Sequence, residues 1–144
     1  MDGTDERAAL AAELQRHVAE EDEILQEYRL LSDELAEGSL SILVDHIVTD
    51  EEMHHLLFRT LAEWLEAPPV QEQSLSAQGL DRDLVLQHTQ RLKEHEARTI
   101  ESCREMVEQL SGDGNALFEG VLDAIIHDSE KHHRLLTLVE ELID

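Results

Sequence analysis

Along most of the chain apolar residues recur at intervals of three and four, the period of an amphipathic helix. One stripe runs Leu40, Leu43, Val44, Ile47, Val48, Phe58, Leu61 and Leu65, and another runs Phe118, Val121, Leu122, Ile125, Leu136, Val139 and Ile143. Gly and Pro punctuate the pattern. Gly38 followed by Ser39 reads as a helix stop and the N-cap of the next helix. Residues 67–80, from Ala67-Pro68-Pro69 to Gln78-Gly79, form a long polar linker. Ser111-Gly112-Asp113-Gly114-Asn115 reads as a tight turn with its own capping residues. The pattern predicts an all-α fold, a single four-helix bundle over 1–144 with helices at 5–37, 39–66, 81–110 and 115–143. The expected architecture is two helical hairpins joined by a longer crossover.

The second hairpin repeats the first. Setting Val44-Asp45-His46-Ile47-Val48 over Leu122-Asp123-Ala124-Ile125-Ile126 pairs Asp45 with Asp123 and Ile47 with Ile125. The same offset pairs Asp50, Glu52, His54, His55 and Leu57 with the identical residues Asp128, Glu130, His132, His133 and Leu135. In the first helix of each half, Glu21, Leu25, Arg29 and Leu35 align with Glu96, Ile100, Arg104 and Leu110. A repeat of this length marks duplicated hairpins related by a pseudo-twofold axis, and a site on that axis would draw ligands from both halves.

Helical phase decides which polar residues share the apolar faces. In the second helix Glu51 and His54 fall near the centre of the stripe and Asp50 at its edge; His55 flanks it and Glu52 points away. In the fourth, His132 is central with Ser129 beside it and Asp128 near the edge, while His133 flanks and Glu130 lies off-centre. The first helix carries Leu14, His17, Glu21, Leu25, Tyr28 and Leu35 on one seam. The third carries Val85, Leu92, Glu96, Ile100, Cys103, Val107 and Leu110, with His88 and His95 on one flank. Glu21 and Glu96 thus interrupt apolar seams where a coiled coil would want Leu. An ionised carboxylate in a core costs several kcal/mol unless it is paired or metal-bound. Lys and Arg are nearly absent from these seams, with Lys131 and Arg134 off the stripe. A pair of divalent cations is the economical neutraliser.

Composition narrows the partners. With 34 acidic residues against 11 basic ones the net charge is −23, which repels nucleic acid and anionic lipid and attracts cations. Lys93 and Lys131 are the only lysines, a bias that fits either a GC-rich genome or a salt-rich cytoplasm. Cys103 stands alone, so it cannot form an internal disulfide, and it reads as a small core residue in a reducing compartment. Met1 to Arg7 has no apolar signal region and no stretch approaches a membrane span, so a cytoplasmic location is expected.

On these residues the chain resembles the ferritin-like di-iron carboxylate superfamily, of the rubrerythrin and bacterioferritin type. That family takes one Glu from each of two helices and a Glu-x-x-His from each of the other two. The resemblance implies Glu21 and Glu96 as the single carboxylates, with Tyr28 one heptad after Glu21, and Glu51-x-x-His54 as the first paired motif. The second motif has two registers. Glu130-x-x-His133, whose repeat partner is Glu52-x-x-His55, has the family spacing but turns its Glu towards solvent. The buried register, Ser129-x-x-His132, lacks a carboxylate and would rely on Asp128.

The favoured ligands are therefore Glu21, Glu51, His54, Glu96, Asp128 and His132, with Glu52, His55, Glu130 and His133 as the alternative set. His17, Tyr28, Asp50 and His95 are candidates to support the ligands from behind. The resemblance implies two iron ions, with Mn or Zn as substitutes, dioxygen or peroxide as the partner, and ferroxidase-like or peroxide-reducing oxidoreductase chemistry or iron binding. A homo-oligomer is compatible with it. A second resemblance is to hemerythrin-like bundles, through His46-x-x-x-Asp50 and His17-x-x-x-Glu21, but Ala124 stands where the repeat would need another His. The metal-free reading is a helical interaction module that dimerises through its polar seam.

Overall fold

A computed structural model describes residues 3–67, 81–110 and 114–143. Among them are four helices and no strand: α1 (Gly3–Glu34), α2 (Ser41–Glu66), α3 (Arg82–Gln109) and α4 (Ala116–Ile143). The all-α fold follows from the helical periodicity. None of these helices is long and apolar enough to cross a membrane. The chain divides into two compact units, Met1–Pro69 and Val70–Asp144, each built on one helical hairpin. The expected linker falls mostly on residues 68–80, which lie outside the described residues, as do residues 111–113 of the expected turn.

In the first unit α1 and α2 run antiparallel. Arg7, near the start of α1, donates from Nε to the Leu65 carbonyl at 3.3 Å and from Nη2 to the Trp64 carbonyl at 3.4 Å. Later in α1, Ser32 Oγ donates to Asp45 Oδ1 at 2.6 Å, near the start of α2. The turn between them departs from the sequence expectation: α1 stops at Glu34, and Ser39 is not the cap of α2. Gly38 N–H donates to Leu35 O at 2.9 Å, then Ser41 to Gly38, Ile42 to Ser39 and Leu43 to Leu40, at 3.1–3.4 Å. These i→i−3 bonds satisfy the first amides of α2 with turn carbonyls, leaving a hydroxyl cap with nothing to do.

The second hairpin has stronger punctuation. Asp81 caps α3, its Oδ1 accepting from the Leu84 amide at 3.1 Å. Gly114 takes φ +94°, which only glycine adopts cheaply. Next to it Asn115 donates from Nδ2 to the Leu110 carbonyl at 2.8 Å, closing the end of α3, and its own carbonyl accepts from Glu119 to open α4. The helices are again antiparallel, with Lys93 meeting Glu140 and Arg104 meeting Glu130.

Both hairpins bury the same heptad frame. On α2 a run of buried and half-buried positions alternates by four and three residues: Val44, Val48, Glu51, His55, Phe58, Ala62 and Leu65. Their repeat counterparts on α4 are Leu122, Ile126, Ser129, His133, Leu136, Glu140 and Ile143, all buried or half-buried. The first helices match likewise, with Val18, Glu21, Leu25 and Tyr28 on α1 set against Lys93, Glu96, Ile100 and Cys103 on α3. Cys103, Leu122 and Ile126 form the buried centre of the second hairpin, flanked by Ile100 and Val107. Cys103 is thus the small core residue its setting in the sequence suggests. The apolar stripe of α2 is broader than this seam, because Leu40, Ile47 and Leu61 remain exposed. Phe118, Ile125 and Val139 do the same on α4.

Candidate metal centre

Within the first hairpin, the seam sets Glu21 against Glu51, and His54 against Glu51 in turn. Glu21 from α1 and Glu51 from α2 occupy facing heptad positions, and the two carboxyl groups hydrogen-bond. His54 sits one turn after Glu51, its Nδ1 3.5 Å from Glu51 Oε1. The Glu51 side chain is 19% exposed and that of His54 is 51% exposed, so the set has a shielded carboxylate and an accessible imidazole. Glu21 Oε2 is enclosed without a hydrogen-bond partner among the described residues. The hydrogen bond to Glu51, then burial, then repulsion from Glu51 and Glu20, push the Glu21 carboxyl up to about 7.

Around this set lie the remaining first-half candidates. His55 lies deeper in the seam than phase alone suggested, 15% exposed, with its Nε2 3.0 Å from Asp22 Oδ1. Glu52 points outward to Arg29, 3.4 Å away. His17 stacks on Phe58 with centroids 5.0 Å apart and lies 3.7 Å from Glu13. Asp50 is paired with His46 at 3.4 Å, and Tyr28 is half-buried on the α1 seam.

The second hairpin makes a reduced version. Glu96 Oε1 lies 3.5 Å from His132 Nδ1, with side-chain exposures of 17% and 52% that match the first half. Ser129, 5% exposed, holds the position of Glu51. With Ser129 in place of an acid three residues earlier, His132 meets the carboxylate of the facing helix. Asp128 is engaged by Lys131 at 3.7 Å. His133 is half-buried, but Ala97 replaces the counterpart of Asp22, leaving a shallow groove lined by Ile100, Arg104, Glu130 and Arg134. His95 is exposed.

One pairing is common to both halves. Arg29 holds Glu52 at 3.4 Å and Arg104 holds Glu130 at 3.1 Å, at equivalent places in the repeat. The carboxylates of the alternative register are thus held by guanidinium groups, whereas among the described residues no Lys or Arg pairs with Glu21, Glu51 or Glu96. Phase arguments missed a different cation. Lys93 lies on the α3 seam, 2.9 Å from Glu140 of α4, and these side chains are only 20% and 25% exposed. Counting by fours and threes back from Glu96 would have placed Lys93 there; the broader apolar stripe hid it.

Two carboxylates and one imidazole in the first half, and a carboxylate with an imidazole in the second, suit Fe(II), Mn(II) or Zn(II). The facing acids Glu21 and Glu51, with which no Lys or Arg pairs among the described residues, supply the structural reason to expect a cation. No protein-family model, curated protein or solved structure matches this chain.

Proposed function

We propose that this protein is a non-haem iron-binding protein of ferritin-like type. Its ligands are Glu21, Glu51 and His54 in the first hairpin, and Glu96, Asp128 and His132 in the second. The observation that carries the reading is the facing pair Glu21 and Glu51 with His54 beside Glu51, an acid pair with which no Lys or Arg pairs among the described residues. A divalent cation entering there would displace the proton held between Glu21 and Glu51, and uptake would therefore acidify the solution. His54 would supply a nitrogen ligand from the accessible side, and Arg29 would keep Glu52 turned away. Bound Fe(II) would supply the electrons that reduce dioxygen or peroxide, and would itself be oxidised to Fe(III). The negative surface concentrates cations near the chain, which fits a cytoplasmic protein handling ferrous iron.

The competing reading is a metal-free helical interaction module. The approach of His132 to Glu96 favours it, since such a pair satisfies itself once the imidazole is protonated. Anaerobic Fe(II) loading of chelator-stripped protein, followed by air, separates the two. About two iron ions per chain and an absorbance change on oxidation are expected for a di-iron centre. Glu51→Ala and His54→Ala should each reduce loading at least tenfold. Binding without oxidation would reduce the function to iron buffering, and no binding would leave the interaction module.

A further inference from the structure

We propose that the two hairpins bind cations unequally, the first tightly and the second weakly, because Ser129 and Lys131 stand where the first repeat has Glu51 and Met53. This inference rests on the metal reading above and concerns how the two halves differ. The same heptad positions face inward in both hairpins, so the contrast is drawn between the side chains that occupy them. In the first half Glu21 and Glu51 face each other with His54 against Glu51 at 3.5 Å. In the second half the facing position is the buried Ser129 hydroxyl, neutral and a weaker metal ligand. The carboxylate one residue earlier, Asp128, already has the Lys131 ammonium 3.7 Å away. That ammonium opposes an entering cation, while Met53, its counterpart, is uncharged and exposed. The second set therefore has no carboxylate at the facing position, and the one beside it already has an ammonium competing for it. Cations load the first hairpin first.

Losing a group that merely supports a metal ligand costs ~10–100-fold in affinity, so moving a carboxylate off the facing position and setting an ammonium against it should cost at least tenfold. Co(II) is the probe, titrated into the full, chelator-stripped chain by calorimetry, with visible absorption reporting nitrogen and oxygen coordination. The wild type should show one tight step and one at least tenfold weaker. Glu51→Ser should abolish the tight step. Lys131→Met, at a half-exposed position that does not threaten folding, should tighten the weak step, and Ser129→Glu combined with Lys131→Met should bring both steps close together. Far-UV circular dichroism checks that the double variant folds; if it does not, Glu51→Ser and Lys131→Met still decide. Two equal steps in the wild type, or a tight step that survives Glu51→Ser, would overturn the inequality while leaving metal binding intact. Absence of any Co(II) step would overturn the metal reading and this inference with it.

Discussion

Glu21 is still titrating near neutral pH because Glu51 stands against it and water is partly excluded. Its proton affinity is higher in the folded chain than in the unfolded one, so protonation favours folding. That contribution is fully present below the ordinary value of 4.5 and is lost as pH rises through about 7. In chelator-treated protein the folding free energy should therefore fall between pH 5 and 8, by ~1–2 kcal/mol once solvent screening is allowed for. Glu21→Gln keeps a hydrogen-bonding group but cannot ionise, and it should remove most of that slope. Urea titrations across this pH range measure it, and an equally steep slope in the variant would assign the effect to other groups.

At the level of the helix pair, the halves solve one packing position in two ways. Where α1 and α2 set Val18 and Ala62, α3 and α4 set Lys93 and Glu140. Removing one member of a shielded ion pair leaves the other without its partner, whereas replacing both with apolar groups is often neutral. Lys93→Ala should cost ~1–3 kcal/mol, less than for a fully buried pair, since both side chains keep some contact with water. Lys93→Val with Glu140→Ala, which copies the first hairpin, should lie within ~1 kcal/mol of the wild type. Urea unfolding of the single and double variants checks this, and a double variant as weak as the single would mean the pair stabilises the hairpin beyond filling space.

The helices themselves were legible in the apolar period and in Asp81, Gly114 and Asn115, whose side chains or backbone freedom act locally. The start of α2 was less so, because turn carbonyls took the role expected of Ser39. Glu21, Glu51 and Glu96 were recognisable as acids on a seam. The exchange of His54 for His55 as the deeper imidazole was not, because α2 carries two apolar stripes about one residue apart in phase. Periodicity shows only their sum, and the partner helix separates them. Ion pairs between helices, such as Arg29 with Glu52, depend on register that periodicity leaves open.

For the whole molecule the strongest electrostatic influence is a net charge of −23, which opposes any compact arrangement of the chain. Monovalent salt screens such repulsion over ~10 Å at 0.1 M and ~3 Å at 1 M. The melting temperature should therefore climb by several degrees from low to molar NaCl, measured with chelator present so that site-bound cations do not contribute. A flat profile would show that the charges are already spread widely enough to ignore one another. Such a surface also fits the division into two units, each with its own core and its own set of acids.

Arg7 has a consequence for anyone cutting or tagging this chain. Its guanidinium group reaches two carbonyls at the far end of α2, 58 and 57 residues away in sequence, in a last turn that has no basic residue of its own. Protease trimming that takes Arg7 would uncover those oxygens, so the damage would surface as fraying near Trp64, where indole fluorescence could watch it.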